Sequence, residues 1–130
     1  EKADFDGTFA ERGMDLISMI APTSQDRITM IAKEANGFVY MVSSLGVTGT
    51  RSAITTDIAA ITKLVKSATD IPCAVGFGIS NPQQAAKMTS LSDGAIVGSA
   101  IVKIIAKYGE DAAGPVGEFV KSMADAVHAV

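Results

Sequence analysis

Four short apolar runs, each followed by a segment with apolar residues at helical spacing, constrain this chain more than any other feature. The runs are Leu16–Ile20, Phe38–Val42, Cys73–Val75 and Ala95–Val97. They are too short for helices and rich in strand-forming residues, so each predicts a strand. After the first, bounded by Pro22, Thr23 or Ser24 offers an N-cap to a helix carrying Ile28, Ile31, Ala32 and Ala35 on one face. Asn36-Gly37 ends that helix. Ser43 to Ile54 contains Gly46 and Gly49 and little apolar weight, which predicts a long loop. Thr55 or Thr56 then caps a helix with Ile58, Ile61, Leu64, Val65 and Ala68 aligned, broken at Asp70-Ile71-Pro72.

The later units repeat the pattern. Asn81-Pro82 opens a helix that fades near Thr89, Pro fitting a first turn whose N–H has no partner anyway. Ala100 to Tyr108 is helical in pattern, and Gly109 to Gly114 reads as a linker. Pro115 opens a last helix striped by Val116, Phe119, Val120, Met123 and Val127. A helix also fits Ala3 to Arg12, closed by Gly13. Because the strands are almost wholly apolar rather than alternating, they point to a parallel sheet covered on both faces. Two α/β architectures fit: a small open sandwich, or half of an eight-stranded (β/α) barrel. A whole barrel takes about 250 residues, and this chain has 130.

Composition narrows the classes of function. With 48% apolar and 19% charged residues, there is material for a core, and disorder is excluded. The net charge of −3 offers no basic face for nucleic acid or an anionic membrane. A single cysteine excludes a disulfide framework or a cysteine-rich metal site and suits a cytoplasmic protein. No apolar run approaches the roughly 18–20 residues of a membrane span. The opening Glu1-Lys2-Ala3-Asp4 is no signal peptide and lacks an initiator Met, so a preceding segment is expected to have been removed.

In either architecture, ligands bind beyond the C-terminal ends of the strands. The four exits read Ala21-Pro22-Thr23, Ser43-Ser44-Leu45-Gly46, Gly76-Phe77-Gly78 and Gly98-Ser99. Three are rich in Gly and Ser, a chemistry that lets an anion reach backbone N–H groups without a cationic side chain. Each N–H to a charged oxygen contributes about 1.5–3 kcal/mol net, so three or four can retain a phosphate monoester. A glycine after a strand is often turn geometry alone; two adjacent exits with the same chemistry favour the phosphate site. No Asp, Glu, His or Lys sits at any exit. His128 suits a solvated helix end. Cys73 reads as an inert core thiol and the six Met residues as core filler. Tyr40 shares a strand face with Phe38 and Val42, where its hydroxyl needs a partner or serves a ligand.

Three strings together resemble one family. Tyr40-Met41-Val42-Ser43-Ser44-Leu45-Gly46-Val47-Thr48-Gly49 is similar to the sixth strand and mobile loop of the tryptophan synthase α subunit family. Val75-Gly76-Phe77-Gly78-Ile79-Ser80 resembles its seventh strand exit, and Asp93 to Val102 its eighth strand and phosphate helix. The order and spacing match along the whole chain. The resemblance implies a (β/α)8 TIM barrel, of which this chain is the C-terminal half: a single domain over residues 1–130, four βα units after a short helix. It implies a lyase of tryptophan biosynthesis that cleaves indole-3-glycerol phosphate to indole and glyceraldehyde 3-phosphate by a retro-aldol reaction. No metal or organic cofactor is needed in that subunit. Indole passes to a pyridoxal-phosphate β subunit, the implied partner. By the same resemblance, Gly49, Gly76, Gly78, Gly98 and Ser99 hold the substrate phosphate. Tyr40 lies beside the reacting indole end, Phe77 beside the bound substrate, and Thr48 in a loop that closes and orders a catalytic carboxylate.

One departure is large. The family draws its general acid and general base from the second-strand region, and the cleavage requires both. This chain matches the family from just after its fourth strand, so it is expected to carry no catalytic residue and to be inactive alone. Its two open sheet edges predict a missing N-terminal half-barrel or self-association as partner. Two other readings share the phosphate site: a non-catalytic half-barrel scaffold, or another phosphate-using barrel enzyme such as an isomerase. The Gly46–Gly49 loop argues against the isomerase.

Overall fold

A computed structural model describes residues 3–22, 25–42, 51–76 and 78–130. In chain order its elements are α1 (Ala3–Ala10), β1 (Ser18–Ile20), α2 (Gln25–Lys33), β2 (Val39–Val42), α3 (Arg51–Ala68), β3 (Cys73–Gly76), α4 (Pro82–Thr89), β4 (Gly94–Ile96), α5 (Ser99–Tyr108) and α6 (Ala113–His128). The four strands form one sheet in the order β1-β2-β3-β4, and every neighbouring pair is parallel.

The register divides the strand residues into two faces. Ile20, Met41, Val75 and Ala95 lie abreast, and Ser18, Val39 and Cys73 form a second row of that face. Nearly all of these are buried, and they pack with Ile28 and Ala32 of α2, Ile58 and Val65 of α3, Ala85 and Met88 of α4, and Met123 of α6. The opposite face carries the row Met19, Tyr40, Ala74, Gly94 and the row Val42, Gly76, Ile96. Met19 is 60% exposed there, and the other six are half-buried. Among the described residues, the sheet is therefore covered by helices on one face, not on both as its apolar strands suggested. That arrangement is the wall of a barrel, with helices outside and strand residues lining the inner side.

Local chemistry explains the boundaries. Gly37 has φ +68°, and a Cβ there would stand 3.0 Å from Ile17 Cδ1 and 3.2 Å from Asp15 Oδ2, so the turn into β2 needs glycine. Asn81 caps α4, its Oδ1 accepting the Gln84 N–H at 2.9 Å, with Pro82 in the first turn. The expected loop from Ser43 to Ile54 is shorter than its composition implied, because α3 already begins at Arg51; residues 43–50 lie outside the described residues. The expected linker Gly109–Gly114 is a 3-10 turn, Gly109–Asp111, followed by α6 from Ala113. Pro115 sits in the first turn of α6, where its missing N–H costs nothing.

At the N-terminal end of the sheet, Asp93 closes β3 against β4. Its N–H donates to the Cys73 carbonyl at 2.9 Å, and its Oδ2 accepts the Cys73 N–H at 2.8 Å. Lys66 of α3 pairs with the same oxygen at 2.7 Å. Among the described residues, no helix is long and apolar enough to cross a membrane.

Candidate functional site

The exits of β3 and β4 leave neighbouring, parallel strands at the same end of the sheet. Beyond β3, Gly78 takes a φ of +44°, in the left-handed region that favours glycine. Beyond β4, Gly98 is the N-cap of α5, and no side chain caps that helix. The first free N–H groups of a ten-residue helix thus stand beside the glycine turn from the adjacent strand. A Cβ placed on Gly78 or on Gly98 would meet nothing within 4 Å, so the space before both is open. Both glycines and Ser99 are exposed. Free N–H groups and the positive end of a helix dipole suit an anion.

Tyr40 and Gly76 form the second part of the site. Tyr40 faces Ala74 across the β2–β3 ladder, yet its ring runs on toward the strand exit and covers Gly76. A Cβ on Gly76 would overlap the Tyr40 hydroxyl and lie 2.6 Å from both Cε1 and Cζ. Gly76 itself is the last residue of β3, abreast of Val42 and Ile96. The Tyr40 ring is thus on the helix-free face and directed toward the end of the sheet where Gly78 and Gly98 emerge.

Of the eight residues singled out in the sequence, the structure brings Tyr40 into contact with Gly76 and sets Gly78, Gly98 and Ser99 on adjacent exits. Thr48, Gly49 and Phe77 lie outside the described residues. Cys73 is fully buried, and burial followed by the nearby Asp93 charge pushes its thiol up to about 11, as expected of an inert core residue. His128 ends α6. No group of His, Cys, Asp and Glu able to hold a metal ion occurs among the described residues. A groove of about 680 Å³ lies between α2 and α3, lined by Pro22, Gln25, Ile61, Lys63, Leu64 and Ser67. None of the eight residues lines it, and it does not belong to this site. The sequence reasoning overlooked Gln84, whose Oε1 accepts from both Ser80 N–H at 2.8 Å and Ser80 Oγ at 3.1 Å. The signal was present as Asn81-Pro82-Gln83-Gln84, a capping-box spacing.

Residues 1–128 match the family model described as the tryptophan synthase alpha chain. The tryptophan synthase alpha chain of Lactiplantibacillus plantarum is 54% identical over 102 residues, covering 78% of this chain and 39% of that protein. The alpha chain of a Geobacter species is 43% identical over 129 residues, 98% of this chain and 48% of the relative. Among solved structures, the tryptophan synthase subunit alpha of Campylobacter jejuni superposes with a TM-score of 0.83 at 31% identity, covering 95% of this chain and 49% of that one. The chain spans about half the length, or less, of the relatives it matches. The four parallel βα units correspond to part of the TIM barrel of those proteins. A match along nearly the full sequence, together with the shared barrel wall, establishes that this chain belongs to the tryptophan synthase alpha chain family.

Proposed function

We propose that this chain is the phosphate-binding half of a lyase that cleaves indole-3-glycerol phosphate into indole and glyceraldehyde 3-phosphate. The observation that carries the reading is the uncapped N-terminus of α5 beside the Gly78 turn, both opening on free space at one end of adjacent strands. In this reading Gly49, Gly76, Gly78, Gly98 and Ser99 hold the phosphate. Gly76 also seats Tyr40, whose ring flanks the indole end. Phe77 lies beside the substrate, and Thr48 belongs to the loop that closes over it. The chain acts as one domain, in the cytoplasm.

Retro-aldol cleavage needs a proton delivered to the indole C3 carbon and a base for the glycerol hydroxyl and indole N–H. The four strand exits carry no acidic side chain, His or Lys to do either. Both proton-handling groups come from four further βα units, supplied by a complementary half-barrel or, for barrel closure alone, by a second copy of this chain. General acid–base catalysis contributes about 10²–10⁴-fold for each group, so the isolated chain binds phosphate esters and turns them over negligibly. The indole product is consumed by a β subunit. One solved relative, from Pyrococcus furiosus, is described as part of an a2b2 tryptophan synthase complex.

The test measures indole release from indole-3-glycerol phosphate by the 130-residue chain, alone and with the first four βα units of an alpha-chain relative. The expected result is no release alone and recovery on mixing. Release by the chain alone at the rate of an intact alpha chain overturns the division of labour proposed.

A further inference from the structure

The turn leaving β3 is tied down on both sides of a single helix start. Ile79 is 4% exposed and packs into the core. Ser80 donates twice to one atom, its N–H and its Oγ both reaching Gln84 Oε1. Gln84 in turn donates its N–H to Asn81 Oδ1 at 2.9 Å, and the Asn81 carbonyl accepts the Ala85 N–H at 3.1 Å. In an ordinary capping box, the side chain at the third helical position reaches back to the N–H of the N-cap. Here it reaches one residue further, past Asn81 to Ser80. That extra step couples α4 to the turn rather than merely closing the helix.

Gly78 adjoins this knot. Its φ of +44° lies in the left-handed region, and a Cβ there would meet open space. Glycine has the most backbone freedom to lose, and an anion cradle is effective only when its N–H groups are already in place. We propose that Gln84 is a positioning residue for phosphate: by gripping Ser80 at two atoms it sets the Gly78 amide toward the oxygens of a phosphate monoester. Gln84 does not touch the ligand. Its neutral amide oxygen performs this task without placing a negative charge beside an anion site, which a carboxylate would do. The inference rests on the phosphate reading given above.

The experiment titrates glycerol 3-phosphate into the full chain and follows the backbone amide resonances of Gly78 and Ser99. In the wild-type chain both shift. Gln84→Ala weakens binding about fivefold to tenfold, the size of one or two hydrogen bonds, and the shift at Gly78 shrinks while that at Ser99 remains. A loss of stability alone would diminish both. Gln83→Ala, the same truncation one position earlier, leaves both shifts as in wild type. Gln84→Glu keeps the acceptor oxygen but adds a negative charge, so its affinity falls more at low salt than at high salt, while Gly78 still shifts on saturation as in wild type; this variant tests the geometry even if Gln84→Ala fails to fold. Wild-type affinity in Gln84→Ala, or no ligand-induced shift at Gly78 in saturated Gln84→Glu while Ser99 shifts, overturns the positioning role and leaves the phosphate reading standing. Absence of any shift at Gly78 and Ser99 in the wild-type chain overturns both.

Discussion

The Tyr40 ring occupies the volume that any side chain on Gly76 would need. The two residues are on adjacent strands, and Gly76 is two positions beyond the ladder partner of Tyr40. Gly76 has no left-handed φ, so the demand for glycine is steric, and the nearest atoms that impose it are those of the tyrosine. Gly76→Ala therefore costs about 1–2 kcal/mol by overpacking, at the lower end because the ring lies on the more open face and can swing. In a Tyr40→Ala background the same substitution costs much less. Urea denaturation of the four members of this cycle measures the coupling; strictly additive costs contradict the contact.

Met19 and Met41 lie on opposite faces of the sheet, 60% exposed and fully buried. Met41→Ala is expected to lose about 2–5 kcal/mol, the ordinary range for an emptied core site. Met19→Ala changes stability by less than about 0.5 kcal/mol in the isolated chain. Equal losses in chemical denaturation contradict the assignment of the core to one face.

Asp93 controls the acid limb of stability. Partial burial pushes its carboxyl up, but the Lys66 hydrogen bond, the Cys73 N–H and the Lys66 charge together outweigh this and hold it below the usual range. A carboxyl depressed in the folded state adds stability that is complete above its unfolded pKa of about 3.9 and is lost as pH falls through the folded value. Lys66 and Asp93 are 38% and 39% exposed, so solvent screens the pair and its worth is below about 1 kcal/mol. Asp93→Asn should flatten the stability profile below pH 4, and added salt should reduce the difference between the two proteins at pH 6. Thermal melts across pH 2–6 read both effects. A steeper acid limb in Asp93→Asn contradicts the assignment.

Cys73 governs the opposite limb. Its thiol is raised from 9.0 to about 11, chiefly by burial. A group raised in the folded state contributes stability present below the unfolded value, and that contribution fades as pH rises through the window from about 9 to about 11. At pH 8 the folded chain should resist alkylation by iodoacetamide, while the urea-unfolded chain reacts fully. Stoichiometric labelling under native conditions contradicts the buried position of β3.

Gly98 separates folding from binding. It is an N-cap without a side-chain hydrogen bond, and a Cβ meets nothing there. Gly98→Asp supplies the missing acceptor and should stabilise the chain by a few tenths of a kcal/mol. The same carboxylate occupies the anion position at the start of α5, so affinity for glycerol 3-phosphate should fall at least about tenfold, more at low salt. Calorimetric melting and titration give the two signs independently. Unchanged affinity removes α5 from the phosphate site.

Much of this fold was readable because its signals are local. All four strands, the order of βα units, the Gly37 turn and the Asn81-Pro82 helix start follow from residue types at short spacing. The covering of the sheet was not readable in the same way. Met19, Val42 and Ile96 are as apolar as Ile20, Met41 and Val75, and hydrophobicity alone does not state what packs on it. The start of α3 was misplaced because Thr55 and Thr56 imitate N-caps, whereas the helix continues back to Arg51 through residues tolerant of it. At the site, Gly78, Gly98 and Ser99 stood out as a pattern of small residues. The Tyr40–Gly76 contact did not, since it joins two strands through a ring orientation that the sequence leaves open.

The order of strands in the sheet repeats their order in the chain. Each new strand needs only its immediate predecessor as a template, and every closure spans one helix and its turns. No step waits for a distant segment, which keeps contact order low for a parallel sheet. Assembly can therefore advance unit by unit behind a translating ribosome, β1 offering a seat to β2 long before β4 exists. Truncations from the C-terminal end should peel units away in reverse, leaving the earlier pairings intact.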